Sequence, residues 1–189
     1  MITHAARAVE MLHAYILIID DIQDRSKVRR GGPTAHKMLA DHHEEQELAG
    51  SSEHFGISIA INAALGGAHM AQMLLADLDV EPARKLRTIE IINHTMAVTA
   101  HGQTNDIMNE VVAEVDADDL ARVLEWKTAQ YTFINPLSVG MTLAGANEQT
   151  ITAVRDYALH AGKAFQITDD ILGTFGTEFD SGKSPMDDI

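Results

Sequence analysis

The stretch LIIDDIQDRSKVRRGGPTAHK, Leu17 to Lys37, joins an aliphatic run to three aspartates and then to two adjacent arginines. No glycine or proline precedes the GGP at positions 31–33, which should end any helix there. On a helix, Asp20 and Asp24 project one above the other, and Asp21 lies about 100° round the axis. The stretch therefore predicts an apolar helix whose last turn presents clustered carboxylates.

Composition favours helices throughout. The 189 residues are 46% hydrophobic and 22% charged, which is ordinary for one compact domain covering residues 1–189. Aromatic residues make up only 5%, and few alternating β-branched runs or hairpin signals occur. We therefore expect an all-α protein.

The overall charge excludes several partners. A formal charge of -14 disfavours nucleic acid and anionic lipid surfaces, because those polymers are bound through clustered Lys and Arg.

The longest apolar run near the start, Ala14 to Ile19, is far shorter than the roughly 20 residues that cross a bilayer, and no signal-peptide pattern is present. Cysteine is absent, which excludes disulfides and Cys zinc sites. We expect a cytoplasmic protein with no transmembrane segment.

Capping residues divide the rest of the chain into further helices. We expect these helices over about 52–78, 82–115, 116 onward with a break at Pro136, and 148–173. In the last of them, an apolar stripe at steps of four and three predicts the face that packs on the core: Val154, Ala158, Ala161, Phe165, Thr168 and Leu172.

A second acidic pair echoes the first. ITDDI at Ile167–Ile171 resembles IIDDI at Ile18–Ile22, and apolar residues closely precede both pairs. Oxygen ligands without Cys or paired His select Mg²⁺ or a similar hard ion, which usually completes its shell with substrate phosphate. A pair of solvated acidic helix ends would be the simpler interpretation. Two pairs beside apolar runs favour a phosphorylated substrate held through magnesium.

Five motifs occur in the order typical of one family. They are DDIQDRSKVRRGGPTAH at 20–36, GQTNDI at 102–107, KTAQYTFINPL at 127–137, FQITDDILG at 165–173 and GKS at 182–184. This set resembles the trans-isoprenyl diphosphate synthases, or polyprenyl synthetases. The resemblance implies an isoprenoid synthase-like bundle of long antiparallel helices around a central cavity. It also implies a homodimer.

Members of this family join an allylic diphosphate to isopentenyl diphosphate. The allylic C–O bond ionises, the isopentenyl double bond attacks the cation, and a proton is lost. The resemblance implies three Mg²⁺ ions held by Asp20, Asp24 and Asp169, with Asp21 and Asp170 acting at one remove or through water. It also implies that Arg29 contacts the allylic diphosphate and Arg30 the isopentenyl diphosphate.

The remaining motifs imply further roles. Lys127 and Lys183 would touch diphosphate, while the Lys127 carbonyl, the Thr128 hydroxyl and the Gln166 side chain would stabilise the allylic cation. The GQTNDI motif adds Gln103 and Asp106. Without the resemblance, Thr128 and Gln166 would be ordinary polar residues of helices.

The product length is expected to depend on Tyr15 and Ile16, the fifth and fourth residues before the first motif. Five helical residues rise about 7.5 Å, so a bulky ring there would stop the prenyl tail after a few isoprene units. An aromatic at this place, with no insertion in the motif, resembles the geranylgeranyl type, with farnesyl as the near competitor.

The chain also departs from the family pattern. Gly173 stands where many relatives have a third aspartate, and the resemblance implies that the chain is incomplete at both ends relative to the family. A non-catalytic subunit or fragment of a synthase therefore stays open as an alternative. A class I terpene cyclase is a weaker alternative, because it would carry an Asn, Ser/Thr, Glu triad in place of the second DD.

Overall fold

A computed structural model describes residues 2–112 and 114–175 of the chain. These residues form an all-α fold with one small hairpin, so the predicted class is confirmed. The elements are α1 Ile2–Gln23, β1 Val28–Arg29, β2 Gly32–Pro33, α2 Ala35–Glu45, α3 Ser52–Ala76, α4 Pro82–Asn109, α5 Ala117–Val123, a π-helix π1 Leu124–Ile134, α6 Asn135–Ala144 and α7 Glu148–Phe175.

Contacts divide the chain into two compact units. The first comprises Met1–Val9 and Leu74–Thr168, and the second comprises Glu10–Met73 and Asp169–Ile189. The expectation of one domain over 1–189 stays a prediction.

In the first unit, π1 packs closely against both α4 and α7. A Cβ on Gly102 of α4 would lie 2.2 Å from the Lys127 amide nitrogen, and one on Gly162 of α7 would lie 2.6 Å from Ala129. Only glycine permits such an approach of two backbones. A small core forms at this contact from Ala129, Ile134 and Ala158, with Phe133, Leu137 and Leu159 packed against it.

Three helices of the first unit start at the predicted positions. The Glu81 carboxylate accepts hydrogen bonds from the first amides of α4, with Pro82 in the first turn. Asp116 and Asp119 form a capping box at α5, and Asn147 Oδ1 accepts from the Thr150 amide of α7 at 2.9 Å. These helix starts are confirmed.

One predicted boundary in the same unit is wrong, and the predicted break at Pro136 is confirmed. The fourth helix ends at Asn109, not near Val115, because Asp116 must be extended to cap α5. Pro136 does break the preceding helix, but it lies in the first turn of α6, where its missing N–H is tolerated. The segment before Pro136 forms the π-helix, which the sequence did not predict.

A tight hairpin in the second unit follows the aspartates of α1. Val28 pairs with Pro33 and Arg29 with Gly32, and the two turn residues Arg30 and Gly31 have φ of 53° and 74°. Positive φ at both positions is the geometry of a type I′ turn, whose twist matches the flanking strands. The GGP sequence was predicted only to end the helix. It also returns the chain toward α1.

Burial differs from expectation along α7. The first half of the predicted stripe packs as expected, with Ala158 fully buried and the Phe133 and Phe165 rings 5.7 Å apart. Leu172, in contrast, is 40% exposed, and Phe165 itself is 44% exposed. The buried cluster at this contact contains Ala158 of α7 with Ala129 and Ile134 of π1, so the predicted face is wrong at Thr168 and Leu172, which are exposed.

Helices α1 and α3 are long and apolar enough, by length and composition, to span a membrane. Such helices are weak evidence for a membrane segment, because core helices of soluble proteins pass the same test. Five large apolar side chains of α3 are more than a third exposed: Ile59, Ile61, Leu65, Met70 and Met73.

Candidate active site

Arg29 ties together the two adjacent aspartates at the end of α1. Its Nε donates to Asp21 Oδ1 at 2.6 Å, and its Nη2 donates to Asp20 Oδ2 at 2.9 Å. The hairpin makes this contact possible, because its turn brings β1 back beside the helix end. The sequence placed these charges eight and nine residues apart, and the structure brings them together.

The Asp21 carboxylate is almost fully buried, with 5% of its side chain exposed, whereas Asp20 retains 18%. Burial of Arg29 by itself would lower its pKa, but hydrogen bonds and Coulombic attraction to Asp21 and Asp20 raise that pKa above its usual value. The guanidinium is therefore permanently charged. Asp21, the deeper partner, is the residue that anchors it.

Asp24 completes this acidic cluster. Its amide donates to the Asp20 carbonyl at 2.8 Å, which continues the helical rise and leaves the two side chains four residues apart on one face. Asp24 is exposed. Three carboxylates against one guanidinium leave a formal charge of -2 on these four groups, which favours a divalent cation.

The donor set fits magnesium better than a soft metal. Within residues 2–112 and 114–175, no three acidic or histidine side chains form a complete metal site. Magnesium needs only one or two carboxylates, because water and substrate phosphate supply the rest of its octahedron. Asp20 and Asp24 offer oxygen ligands of that kind.

Arg30, in the turn of the hairpin, is exposed and has a left-handed backbone conformation. A non-glycine residue in this region stores backbone strain, which is common where a side chain serves a ligand. Tyr15 and Ile16 lie half-buried on α1, a little more than one turn before Asp20, and burial raises the pKa of Tyr15. The phenol is therefore neutral at physiological pH.

A second group of site residues lies in the first unit, where α4 meets π1. Lys127 Nζ donates to Asp106 Oδ2 at 2.5 Å, and both side chains are partly buried. The sequence named both residues but not their contact. Beside them, Gln103 Nε2 is buried and has no hydrogen-bond partner among the described residues. An orphaned buried amide next to a lysine is a candidate ligand contact.

Thr128 and Gln166 also meet, as one helix approaches another. The Thr128 hydroxyl donates to Gln166 Oε1 at 2.6 Å, and Thr128 is only 3% exposed. Lys127 and Thr128 both lie within π1, and π-helical turns occur frequently at functional sites. The two predicted cation-stabilising side chains are therefore in direct contact.

The remaining predicted site residues belong to the second acidic pair and the GKS motif. Asp169 and Asp170 lie near the end of α7 and are exposed. Lys183 falls outside the described residues. That the two acidic pairs share one cavity, as the sequence predicts, stays a prediction.

Comparison with known proteins agrees with the five motifs. The polyprenyl synthetase family model matches residues 1–189. A geranylgeranyl diphosphate synthase of Saccharolobus solfataricus is 33% identical over 185 residues, covering 98% of this chain and 51% of the relative. A geranylfarnesyl diphosphate synthase of Aeropyrum pernix is 30% identical over 187 residues, covering 97% and 54%.

The crystal structure of a geranylgeranyl pyrophosphate synthase from Corynebacterium glutamicum, complexed with isoprenyl diphosphate and magnesium, is also similar. Its TM-score is 0.93 at 36% identity, and the match covers 98% of this chain and 52% of that one. The chain thus spans about half the length of the relatives it matches. Because the family model matches the whole chain and the fold agrees, the resemblance is confirmed, and this chain belongs to the polyprenyl synthetase family of prenyltransferases.

Proposed function

We propose that the protein is a magnesium-dependent prenyltransferase that condenses an allylic diphosphate with isopentenyl diphosphate. The observation that carries the proposal is the Arg29 guanidinium held by Asp20 and Asp21, beside the exposed Asp24. A fixed cation next to carboxylates of net negative charge suits a metal–diphosphate complex, in which both signs of charge must be met.

Asp20 and Asp24 from the first motif and Asp169 from the second would hold three Mg²⁺ ions, with Asp170 acting through water. Bound magnesium neutralises the diphosphate and so makes it a better leaving group. Asp21 has a different task in this proposal, because its carboxylate is buried against Arg29. The magnesium in the similar Corynebacterium glutamicum structure supports the choice of metal.

The basic residues would bind the two substrates. Arg29 is proposed to hold the allylic diphosphate and Arg30 the isopentenyl one. Lys127 and Lys183 are proposed to touch diphosphate, as the family motifs imply. A guanidinium fork matches two phosphate oxygens at once, which orients the group as well as attracting it. Asp106 orients Lys127 through the 2.5 Å ion pair.

Thr128 and Gln166 would stabilise the allylic cation. When the allylic C–O bond breaks, its electron pair leaves with the diphosphate, and the carbon becomes positive. The Thr128 hydroxyl hydrogen is directed at Gln166, so the hydroxyl oxygen retains lone pairs for positive charge. Because Thr128 is buried, water has little access to the cation there.

We propose a medium-chain product of 15 to 20 carbons, favouring geranylgeranyl diphosphate. Tyr15 lies on α1 five residues before Asp20, about 7.5 Å along the helix axis. Its half-buried ring, with Ile16 beside it, would form the floor on which the prenyl tail ends.

We further propose a soluble, cytoplasmic homodimer. The exposed apolar side chains of α3 support this assembly, because apolar surface left exposed on a soluble protein is a candidate contact surface. A second copy would cover them. Replacement of Leu65 by Asp should convert the dimer to a monomer in size-exclusion chromatography with light scattering.

The activity is tested by incubating the purified chain with labelled isopentenyl diphosphate, farnesyl diphosphate and Mg²⁺, and then sizing the products. Labelled geranylgeranyl diphosphate would support the proposal. Substrate binding without elongation would favour the non-catalytic subunit, a candidate that the half-length match to the relatives keeps open. A cyclic hydrocarbon would favour the terpene cyclase.

A further inference from the structure

A cavity of about 280 Å³ lies in the first unit, among the start of α4, the end of α6 and the start of α7. Its volume corresponds to about nine water molecules, so it is larger than a single ion needs. Along α4, Arg84 at the cavity is 22 residues from Asp106, or about 33 Å. The cavity is therefore remote from the Lys127 group.

Three arginines line this cavity, which we call the arginine pocket: Arg84, Arg87 and Arg155. Arg84 is held in place, because its Nη1 donates to the Leu143 carbonyl at 3.1 Å. Gly145, left-handed at φ 75°, ends α6 beside it, and a Cβ there would lie 3.2 Å from Arg84 Nη2.

The other two arginines retain donors for a ligand. Arg87 makes one long, exposed contact to Glu90 at 3.4 Å. Arg155 makes no ion pair or hydrogen bond with the residues that the structure describes. Three guanidinia that converge on one cavity, with most donors available, form a site for an anion with several oxygens.

Two buried hydroxyls point to the same chemistry. Ser138 and Thr142 line the arginine pocket and are only 2% and 8% exposed. Neither Ser138 Oγ nor Thr142 Oγ1 has a hydrogen-bond partner in the described part of the chain. They lie four residues apart on one face of α6. Buried hydroxyls rarely stay unpaired, and both residues belong to the lining of the cavity, so an acceptor bound there is a candidate partner for them.

The carboxylates at the cavity do not cancel this charge. Glu81 accepts from the Ala83 and Arg84 amides at 3.0 and 2.9 Å, and these bonds hold the pKa of Glu81 below its usual value. Its oxygens are thus engaged at the start of α4. Glu148, in the first turn of α7, is the other acidic side chain of the lining. Three arginines against two carboxylates leave a net positive pocket.

We propose that the arginine pocket binds the phosphate or diphosphate group of a small phosphorylated molecule. The guanidinia and the two hydroxyls of α6 would hold the phosphate oxygens, while Ile91 and Ile151 form an apolar wall for the organic part. This inference is independent of the proposed prenyltransferase activity, because no residue of the acidic cluster or of π1 takes part in it.

The test is calorimetric titration of the purified protein with inorganic diphosphate, in low salt and EDTA so that magnesium cannot contribute. One saturable site is expected. Arg155→Ala should weaken binding roughly tenfold, the loss of one charge-assisted contact. The matched control is Arg122→Ala, which removes an exposed arginine of α5 outside the pocket and should leave the affinity unchanged.

Two further variants separate a ligand contact from a general charge effect. Glu148→Gln should tighten binding, because it removes a negative charge from the lining. Ser138→Ala should weaken binding without lowering the melting temperature, since its hydroxyl makes no hydrogen bond to a described residue.

Three results would each overturn the inference. Diphosphate could fail to bind saturably, or Arg155→Ala and Arg122→Ala could weaken binding equally, which would indicate a diffuse charge effect. Loss of binding in Arg29→Ala, with Arg155→Ala unaffected, would assign the diphosphate to the acidic cluster instead.

Discussion

Asp21→Asn tests whether the buried aspartate serves Arg29 or a metal ion. The substitution keeps the shape of the side chain and removes its charge. In the structure Asp21 Oδ1 accepts from Arg29 Nε at 2.6 Å, and the aspartate side chain is 5% exposed. Arg29 keeps its second bond, to Asp20 at 2.9 Å, so the fold should survive.

The expected loss of stability in Asp21→Asn follows from the hydrogen bond between Asp21 and Arg29. A buried hydrogen bond to a charged group contributes about 1.5–3 kcal/mol, and asparagine retains a neutral acceptor, so the free energy of unfolding should fall by roughly 1–2 kcal/mol. For a chain of this size the melting temperature should fall by about 2–8 °C. Asp41→Asn is the matched control, because Asp41 pairs with Lys37 on an exposed helix face and should leave the melting temperature unchanged.

Steady-state kinetics then identifies the role. Because Arg29 would be less well oriented, Asp21→Asn should raise KM for the allylic diphosphate while leaving the Mg²⁺ concentration for half-maximal rate within roughly twofold. Asp24→Asn should do the opposite and raise the Mg²⁺ requirement by about tenfold or more. If Asp21→Asn raises the Mg²⁺ requirement as much as Asp24→Asn, Asp21 is a metal ligand and the anchoring role is refuted.

Three other substitutions give direct readouts. Thr128→Val removes the hydroxyl while keeping the bulk of the side chain, and should lower kcat by about 100-fold with KM little changed. A rise in KM as large as the fall in kcat would contradict this role. Tyr15→Ala should lengthen the product, and an unchanged product size on chromatography would exclude the floor. Gly102→Ala places a methyl 2.2 Å from the Lys127 amide and should destabilise the fold by about 1–3 kcal/mol or more. Its control, Gly66→Ala, meets no atom within 4 Å and should be neutral or stabilising in urea titrations.

Local signals predicted the helix starts, because each depends on a few neighbouring residues. Asp116 with Asp119 marks α5, and Pro82 marks α4, in the sequence and in the structure alike. The hairpin and π1 were missed. A type I′ turn with arginine at its first position lacks the usual Asn-Gly signature, and a π-helix arises from packing that no local pattern encodes.

In the candidate site, too, contacts between residues close in sequence could be predicted, and contacts that depend on packing could not. The opposed charges of Asp20 and Arg29 are close in sequence, so their proximity could be anticipated. The pairing of Asp106 with Lys127 could not, since it depends on how closely α4 approaches π1 at Gly102. The motif resemblance named both residues, but only tertiary packing shows that one neutralises the other.

Lys127 and Thr128 are consecutive residues that reach in different directions, one to Asp106 on α4 and the other to Gln166 on α7. A single peptide link, about 3.8 Å between Cα atoms, thus couples two helices mechanically. A change in one contact shifts the backbone that also positions the other contact. The effects of Asp106→Asn and Gln166→Glu on turnover should therefore not add in a double-mutant cycle. The π-helix therefore connects α4 to α7. Deleting one of its residues would rotate either Lys127 or Thr128 away from its partner.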